Sequence, residues 1–196
     1  MKIFIKLFFT IALVGPFSIM NAQDHQISVA VQLGYALPGG SGVAEDGAYD
    51  VDGGFAYHAD ILYHLMGSKL RAGLAYSGAI LASVDSGIDA YEMTMYGVKG
   101  LYYLNPEGFL PFAGLSLGFM TLSTPEFGDG NGGVLVPAIT GSALAIQPTV
   151  GIAFGGFYIS ADYLLPGNIE LELSTPVEGN IGYLGINLGY RYTFDL

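Results

Sequence analysis

Apolar and polar residues alternate with a period of two along most of the chain. In residues 181–196, one parity carries large apolar side chains from Leu184 to Phe194, and the other carries small or polar ones. Because successive side chains of a strand point to opposite faces, this alternation predicts strands with one apolar face. The same pattern predicts eight strands, at 27–37, 55–66, 70–80, 91–104, 109–122, 143–154, 157–165 and 181–194.

The connections between these strands alternate between short and long. Tight turns are predicted at 67–68, 105–108 and 155–156, and long polar loops at 38–54, 81–90, 123–142 and 166–180. Each strand approaches the roughly 9–11 residues that a tilted strand needs to cross a bilayer. Short turns at one rim and long loops at the other predict an all-β fold, an eight-stranded antiparallel up-and-down transmembrane β-barrel.

Composition favours a membrane protein over a soluble one. The chain is 52% hydrophobic and 12% charged, whereas soluble domains average about 25% charged residues. A soluble barrel of the lipocalin kind would need a charged exterior, but the face opposite the apolar one is mainly Gly, Ala, Ser and Thr. Thirty glycines also disfavour long helices. The apolar face is therefore predicted to contact lipid.

Residues 1–22 are predicted to be a cleaved signal peptide, which leaves 23–196 as the barrel domain. Lys2 and Lys6 form a positive start, and an apolar stretch from Leu7 to Val14 precedes a cleavage site near Ala22. The apolar stretch is shorter than the roughly 20 residues of a spanning helix. We expect export to a Gram-negative outer membrane, with no further domain after the barrel.

The charge distribution separates the two rims. The chain has 6 basic and 17 acidic residues, a net charge of −11, which excludes a nucleic-acid-binding surface. The basic residues outside the leader lie near short turns or the chain end, and most acids lie in or beside the long loops, which we predict to be extracellular.

Asp46, Asp50 and Asp52 offer oxygen ligands for Ca²⁺ or Mg²⁺, but their spacing does not match an EF-hand loop. With no cysteine, disulfides, thiolate sites and a lipid-anchored cysteine are excluded. Solvated acidic loops are the simpler interpretation, so no metal or cofactor is predicted.

The chain end resembles a known sorting signal. Residues 187–194 read Asn-Leu-Gly-Tyr-Arg-Tyr-Thr-Phe, similar to the C-terminal insertion signal of bacterial outer-membrane proteins, with Asn187, Gly189, Tyr192 and Phe194 at the matching positions. Most such proteins end on the aromatic residue, whereas Asp195 and Leu196 follow here. With eight strands, the chain resembles the small outer-membrane barrels of the OmpA transmembrane-domain and OmpX type. The resemblance implies insertion by the barrel-assembly machinery.

Strand parity predicts a charged network inside the barrel. Eight strands leave an interior that side chains roughly fill, and buried charges require partners. We expect Lys99, Arg71 and Arg191 to pair with Asp60 and Asp162. Tight-turn registers place His64 opposite Arg71, Asp162 opposite Thr149 and Lys99 opposite Gly114. The residues predicted to form the lumenal network are His58, Asp60, His64, Arg71, Lys99, Asp162 and Arg191.

We predict a monomeric, non-enzymatic barrel with a side-chain-filled polar lumen and a structural or surface-interaction role among lipid and lipopolysaccharide. One alternative is a narrow pore for ions or small solutes. Another is an enzyme that modifies lipid A, since the hairpin register brings Ser77 opposite His58, with Asp60 two residues along. Residues 58–60 read His-Ala-Asp rather than the His-x-Ser of the lipid A deacylase barrels, which disfavours that alternative.

Overall fold

A computed structural model of the chain contains eight long strands. It describes residues 26–40, 51–65, 69–83, 90–104, 109–124, 127–128, 134–136, 140–167, 170–171 and 181–196. The predicted signal peptide lies outside these residues. The long strands are β1 (Gln26–Gly39), β2 (Val51–His64), β3 (Leu70–Ser83), β4 (Ala90–Tyr103), β5 (Leu110–Ser123), β6 (Thr140–Phe154), β7 (Phe157–Pro166) and β8 (Gly182–Asp195).

The eight strands close into an antiparallel barrel with up-and-down order. Each strand pairs with its neighbours in sequence, and β8 pairs with β1 from Gln26↔Asp195 to Gly39↔Gly182. This confirms the predicted fold class. Since neighbouring strands are antiparallel, the β2–β3, β4–β5 and β6–β7 connections share one end of the barrel, which we call the turn end. The other connections share the opposite end, which we call the loop end.

The strands are staggered around the barrel. Starting from Ala36 on β1 and moving from each residue to its partner on the next strand leads once round the barrel to His64 on β2. The His64 side chain contacts Gln26 on β1 at 2.9 Å. Gln26 lies ten residues before Ala36, so the strands are offset by ten residues in one turn around the barrel. In an eight-stranded barrel this stagger corresponds to a strand tilt of about 43° and a backbone radius of about 8 Å. Such an interior is wide enough for side chains and little else.

The apolar parity faces outward, as predicted. On β8, Leu184, Ile186 and Leu188 are exposed, and Leu188 keeps 61% of its surface against 1% for its inward neighbour Asn187. The other strands share this arrangement; on β1, for example, Leu33 is exposed and Gln32 is buried. The outside of the barrel is therefore a continuous apolar surface of the kind that lipid requires.

Aromatic rings form two groups on the outer surface. Near the turn end, Phe157 packs edge-on against Tyr190 and Tyr192 against Phe194. Toward the loop end, Tyr96 packs against Phe119. Amphipathic aromatic rings are enriched where a membrane barrel meets the headgroup layer, so both groups suit a barrel that spans a bilayer.

The interior consists of two apolar clusters separated by polar side chains, which differs from the small or polar interior expected from sequence. The loop-end cluster contains Leu81, Met93, Met95, Met120, Leu122, Leu164, Ile181 and Tyr183, among others. The turn-end cluster contains Ala30, Leu62, Leu101, Tyr103, Phe112, Ala153 and Tyr158. The polar layer between them includes Gln32, His58, Asp60, Ser77, Lys99, Ser116, Gln147, Thr149, Ser160, Asp162, Asn187 and Arg191.

Most strands extend beyond their predicted bounds, and three short strands lie within predicted loops. Phe127–Gly128 pairs with Val134–Val136, and Glu170–Leu171 pairs with residues at the start of β6. Most strands are 14 residues long, since the sheet continues past the apolar belt. Within the described ranges, no helix is long and apolar enough to cross a membrane.

Candidate functional site

Asp60 forms ion pairs with two buried basic side chains inside the barrel. The guanidinium of Arg191 donates from Nη2 to both Asp60 oxygens, at 2.9 and 3.0 Å, and Lys99 Nζ lies 3.2 Å from Asp60 Oδ2. Arg191 Nη1 also donates to the hydroxyl of Tyr103 at 2.5 Å. All three charged side chains are buried, so the carboxylate compensates two cations in a low-dielectric interior.

Arg71 does not join this group, contrary to prediction. Its Cζ lies 4.1 Å from the centre of the Tyr103 ring, a cation–π contact, and it forms no salt bridge with any described carboxylate. The register explains the difference. Arg71 pairs with His64 at the turn end, as predicted, and this places it four residues along β2 from Asp60. Asp60 is already bound by two cations.

Asp162 forms a second, mostly uncharged group, whereas the prediction gave it a cationic partner. Asn187 Nδ2 donates to Asp162 Oδ1 at 2.6 Å, and Gln147 Nε2 donates to Oδ2 at 2.9 Å. His58 Nε2 is 3.4 Å from the same Oδ2. The predicted pairing of Asp162 with Thr149 is confirmed, but the stagger of the barrel keeps the carboxylate apart from the Asp60 group.

Lys99 faces Ser116 on β5, so the predicted pairing with Gly114 is wrong. Gly114 pairs with Leu101 instead. The cause is the β4–β5 connection, which runs from Leu104 to Phe109 and is longer than the four-residue turn assumed from sequence; Leu104 N donates to Pro111 O at 2.9 Å where the strands meet. A longer connection shifts every partner on β5 by two residues and leaves the inward parity unchanged.

The arrangement of Ser77 and His58 does not resemble a hydrolase triad. The two residues are paired across β2 and β3, as predicted, but Ser77 Oγ donates to Gln147 Oε1 at 3.0 Å. Asp60, the expected orienting carboxylate, binds Lys99 and Arg191. All of these side chains are buried.

His64 lies near the turn end of the seam between β1 and β2. Its Nδ1 is 2.9 Å from Gln26 Oε1, and Gln26 Nε2 donates to Asp195 Oδ1 on β8 at 2.7 Å. His64, which was predicted to belong to the lumenal network, therefore connects β2 to β1 and does not join the Asp60 or Asp162 group.

The residues of the predicted insertion signal have different environments within the barrel. Asn187 is buried and bonded to Asp162. A Cβ on Gly189 would lie 2.7 Å from both Val31 O and Tyr158 Cζ, so only glycine fits there. Tyr192 and Phe194 face outward. The motif therefore combines two inward positions with two that would contact lipid.

The acidic loop residues are only partly within the described structure. Asp52 is exposed at the loop end of β2, while Asp46 and Asp50 lie outside the described residues. Among the residues that are described, no group of three or more His, Asp or Glu side chains is arranged to hold a metal ion.

Sequence reasoning missed the uncharged members of the polar layer. Gln147 links Ser77 to Asp162, and Ser160 Oγ donates to Gln32 Oε1 at 2.8 Å. The alternation that placed the charges inside also applies to these residues, so tracking every inward polar side chain would have found them. In chemical terms, the layer neutralises charge and forms cross-links between strands.

Comparisons with known proteins identify the architecture. No protein-family model and no curated protein matches the sequence. Among solved structures, Neisserial surface protein A is 14% identical, with a TM-score of 0.62 over 86% of this chain and 97% of that one. The attachment invasion locus protein of Yersinia pestis, Ail, solved in complex with the heparin analogue sucrose octasulfate, is 12% identical, with a TM-score of 0.52 over 87% and 100%.

A major outer-membrane protein from Thermus thermophilus gives a similar result, with 14% identity and a TM-score of 0.50 over 88% of this chain and 100% of that one. At these identities the similarity shows the fold. The chain is an eight-stranded β-barrel with the architecture of small outer-membrane proteins. The shared fold and the apolar outer surface support an outer-membrane location.

Proposed function

We propose that this protein is a monomeric outer-membrane barrel with a closed lumen, which acts in membrane structure or through surface interactions of its long loops. The filled interior carries the proposal. The loop-end cluster and the Asp60 group block the axis at two depths, and an interior of about 8 Å backbone radius leaves little further room. A barrel closed in this way presents its loops and rim to partners and holds its shape in lipid.

We also propose that the long loops face the cell exterior and that residues 1–22 direct export. The four basic residues outside the leader lie toward the turn end, and most acids lie toward the loops, which supports this orientation. The outward Tyr192 and Phe194 and the inward Asn187 and Gly189 support recognition of β8 by the barrel-assembly machinery. The predicted partners are membrane lipid and lipopolysaccharide.

Conductance recording tests the closed lumen. Protein from the outer-membrane fraction, shown to be folded by heat-modifiable electrophoretic mobility, is reconstituted into planar bilayers beside a general porin as positive control. We expect no resolvable current steps from the unaltered chain. Reproducible steps from folded protein would refute the closed lumen and favour a narrow pore, whose lining would be the polar layer.

We further propose that the barrel has no enzymatic activity. The Ser77 hydroxyl is bonded to Gln147, and the Asp60 carboxylate is bound by two cations, which supports this view. Lipid A extracted from cells expressing the chain should give an unchanged mass spectrum. A new lipid A species that disappears in a Ser77→Ala variant would contradict the proposal.

A further inference from the structure

A small cavity opens at the turn end of the barrel and is lined largely by donors and aromatic rings. Its volume is about 70 Å³, and its wall includes Arg71, Tyr103, Tyr158, Arg191 and Thr193. A cavity of this size exceeds the space of a single water molecule. Arg71 on β3 and Arg191 on β8 both line it, so the cavity contains two of the four basic residues outside the predicted signal peptide.

Each arginine retains capacity to bind an anion. Arg71 is held by the face of Tyr103 and has no salt bridge to a described carboxylate. Arg191 uses Nη1 and Nη2 within the barrel, but its Nε, on a side chain that is 6% exposed, has no hydrogen-bond partner among the described residues. A guanidinium carries five N–H donors and no acceptor, so the group that complements these donors is an oxyanion.

The charge around the cavity also favours an anion. Lys69, Arg71, Lys99 and Arg191 all lie toward the turn end, and the buried Asp60 compensates Lys99 and Arg191 only in part. Asp195, on the rim, accepts a hydrogen bond from Gln26. Among the described residues that line the cavity, Arg71 and Arg191 carry a positive charge and none carries a negative one, in a chain whose overall charge is −11. Low-dielectric walls concentrate such a field at the mouth of the cavity.

We propose that this cavity binds a phosphate group, held between the guanidiniums of Arg71 and Arg191 at the turn end of the barrel. The phosphate is either a free ion or the ester of a small molecule whose remainder lies outside the mouth. Arg71 is the main ligand, since its guanidinium has no carboxylate partner among the described residues, and Tyr103 positions it by stacking. This site goes beyond the closed lumen proposed above, because binding at the mouth requires no path through the barrel.

Titration of the folded barrel with inorganic phosphate tests the site. The protein is purified in a non-ionic detergent without phosphate, and binding is followed by calorimetry or ³¹P NMR. We expect saturable binding of one phosphate per chain, weakened at least tenfold by Arg71→Gln. Lys69→Gln is the matched control, because it removes one basic charge two residues away, where Nζ donates to Leu104 O and does not line the cavity. It should weaken binding less than threefold.

Further measurements distinguish a free phosphate ion from a phosphate ester and test the role of Arg71. Stronger binding of glycerol 3-phosphate than of inorganic phosphate indicates an ester, and the reverse indicates a free ion. Arg71→Lys keeps the charge but loses the planar fork, so it should weaken binding at least threefold even if Arg71→Gln does not fold. Absence of saturable binding by the unaltered chain overturns the proposal. Equal weakening by Arg71→Gln and Lys69→Gln also overturns it.

Discussion

Replacing Asp60 by alanine should destabilise the barrel more than any other single truncation in its lumen. The carboxylate is bound through three contacts, two to Arg191 and one to Lys99. Its removal leaves two buried cations without a counter-charge, and breaking a buried ion pair in this way costs about 3–5 kcal/mol. Lys99→Ala should cost less, about 1.5–3 kcal/mol, because Asp60 then keeps its two contacts to Arg191 and loses one charged hydrogen bond.

The measurement uses the difference in electrophoretic mobility between folded and unfolded barrel, since the chain has no tryptophan for a fluorescence assay. Protein in lipid vesicles is equilibrated in a urea series, and the folded fraction gives the free energy of unfolding. Ser116→Ala is the control, because Ser116 faces Lys99 and its buried hydroxyl has no hydrogen-bond partner among the described residues. We expect it to change stability by less than about 0.5 kcal/mol.

The free energies of unfolding of the variants test whether Asp60 compensates both cations. The Asp60→Ala, Lys99→Ala double variant should cost less than the sum of the two single ones, by about 0.5–3 kcal/mol, because the two residues share one interaction. An Asp60→Ala variant as stable as Lys99→Ala, or strict additivity, would show that water rather than protein compensates these charges. The lumen would then be hydrated, and the closed barrel would lose its main support.

Two further predictions concern the wall of the barrel, and both use the same unfolding assay. Leu188→Arg should cost about 2–4 kcal/mol, since it places a cation in the apolar belt, whereas Asn187→Arg should act through crowding around Asp162 and impair folding; equal tolerance of both would contradict the assigned faces. Gly189→Ala should be destabilising because its Cβ would lie 2.7 Å from Val31 O, whereas Gly100→Ala, with nothing within 4 Å of the new Cβ, should be nearly neutral. Equal stability of the two glycine variants would show that the Val31 backbone and the Tyr158 ring can both move away at little cost.

The faces of the strands could be predicted from sequence because lipid imposes a strict rule on them. Every outward position in the belt must be apolar, so the parity of Leu184, Ile186 and Leu188 assigned the inward side of β8 as well. Two of the tight-turn registers also followed directly, since a short turn leaves one choice of partners. The closed topology was accessible for the same reason, because alternating short and long connections leave few other arrangements of eight strands.

Other features depended on geometry that the residue pattern does not contain. The length of the β4–β5 connection decided whether Lys99 faces Gly114 or Ser116, and the residues of the turn allowed both. The stagger decided that Asp162 meets Asn187 rather than a cation. The loop-end cluster was missed because inward apolar residues such as Met93 and Met120 lie among outward ones, and the alternation is weakest there.

The seam between β1 and β8 has a consequence for the order of assembly. Gln26 and Asp195 are partners across this seam, so the first and last strands of the cylinder meet only after all the chain between them has been made. Until then both strands have unpaired backbone edges, and the ring joins residues with almost the largest sequence separation available, a slow event for a polypeptide. Pairing of β8 with β1 and β7 thus closes the barrel. A chain that ends before residue 182 would leave β1 and β7 with unpaired backbone edges and should aggregate.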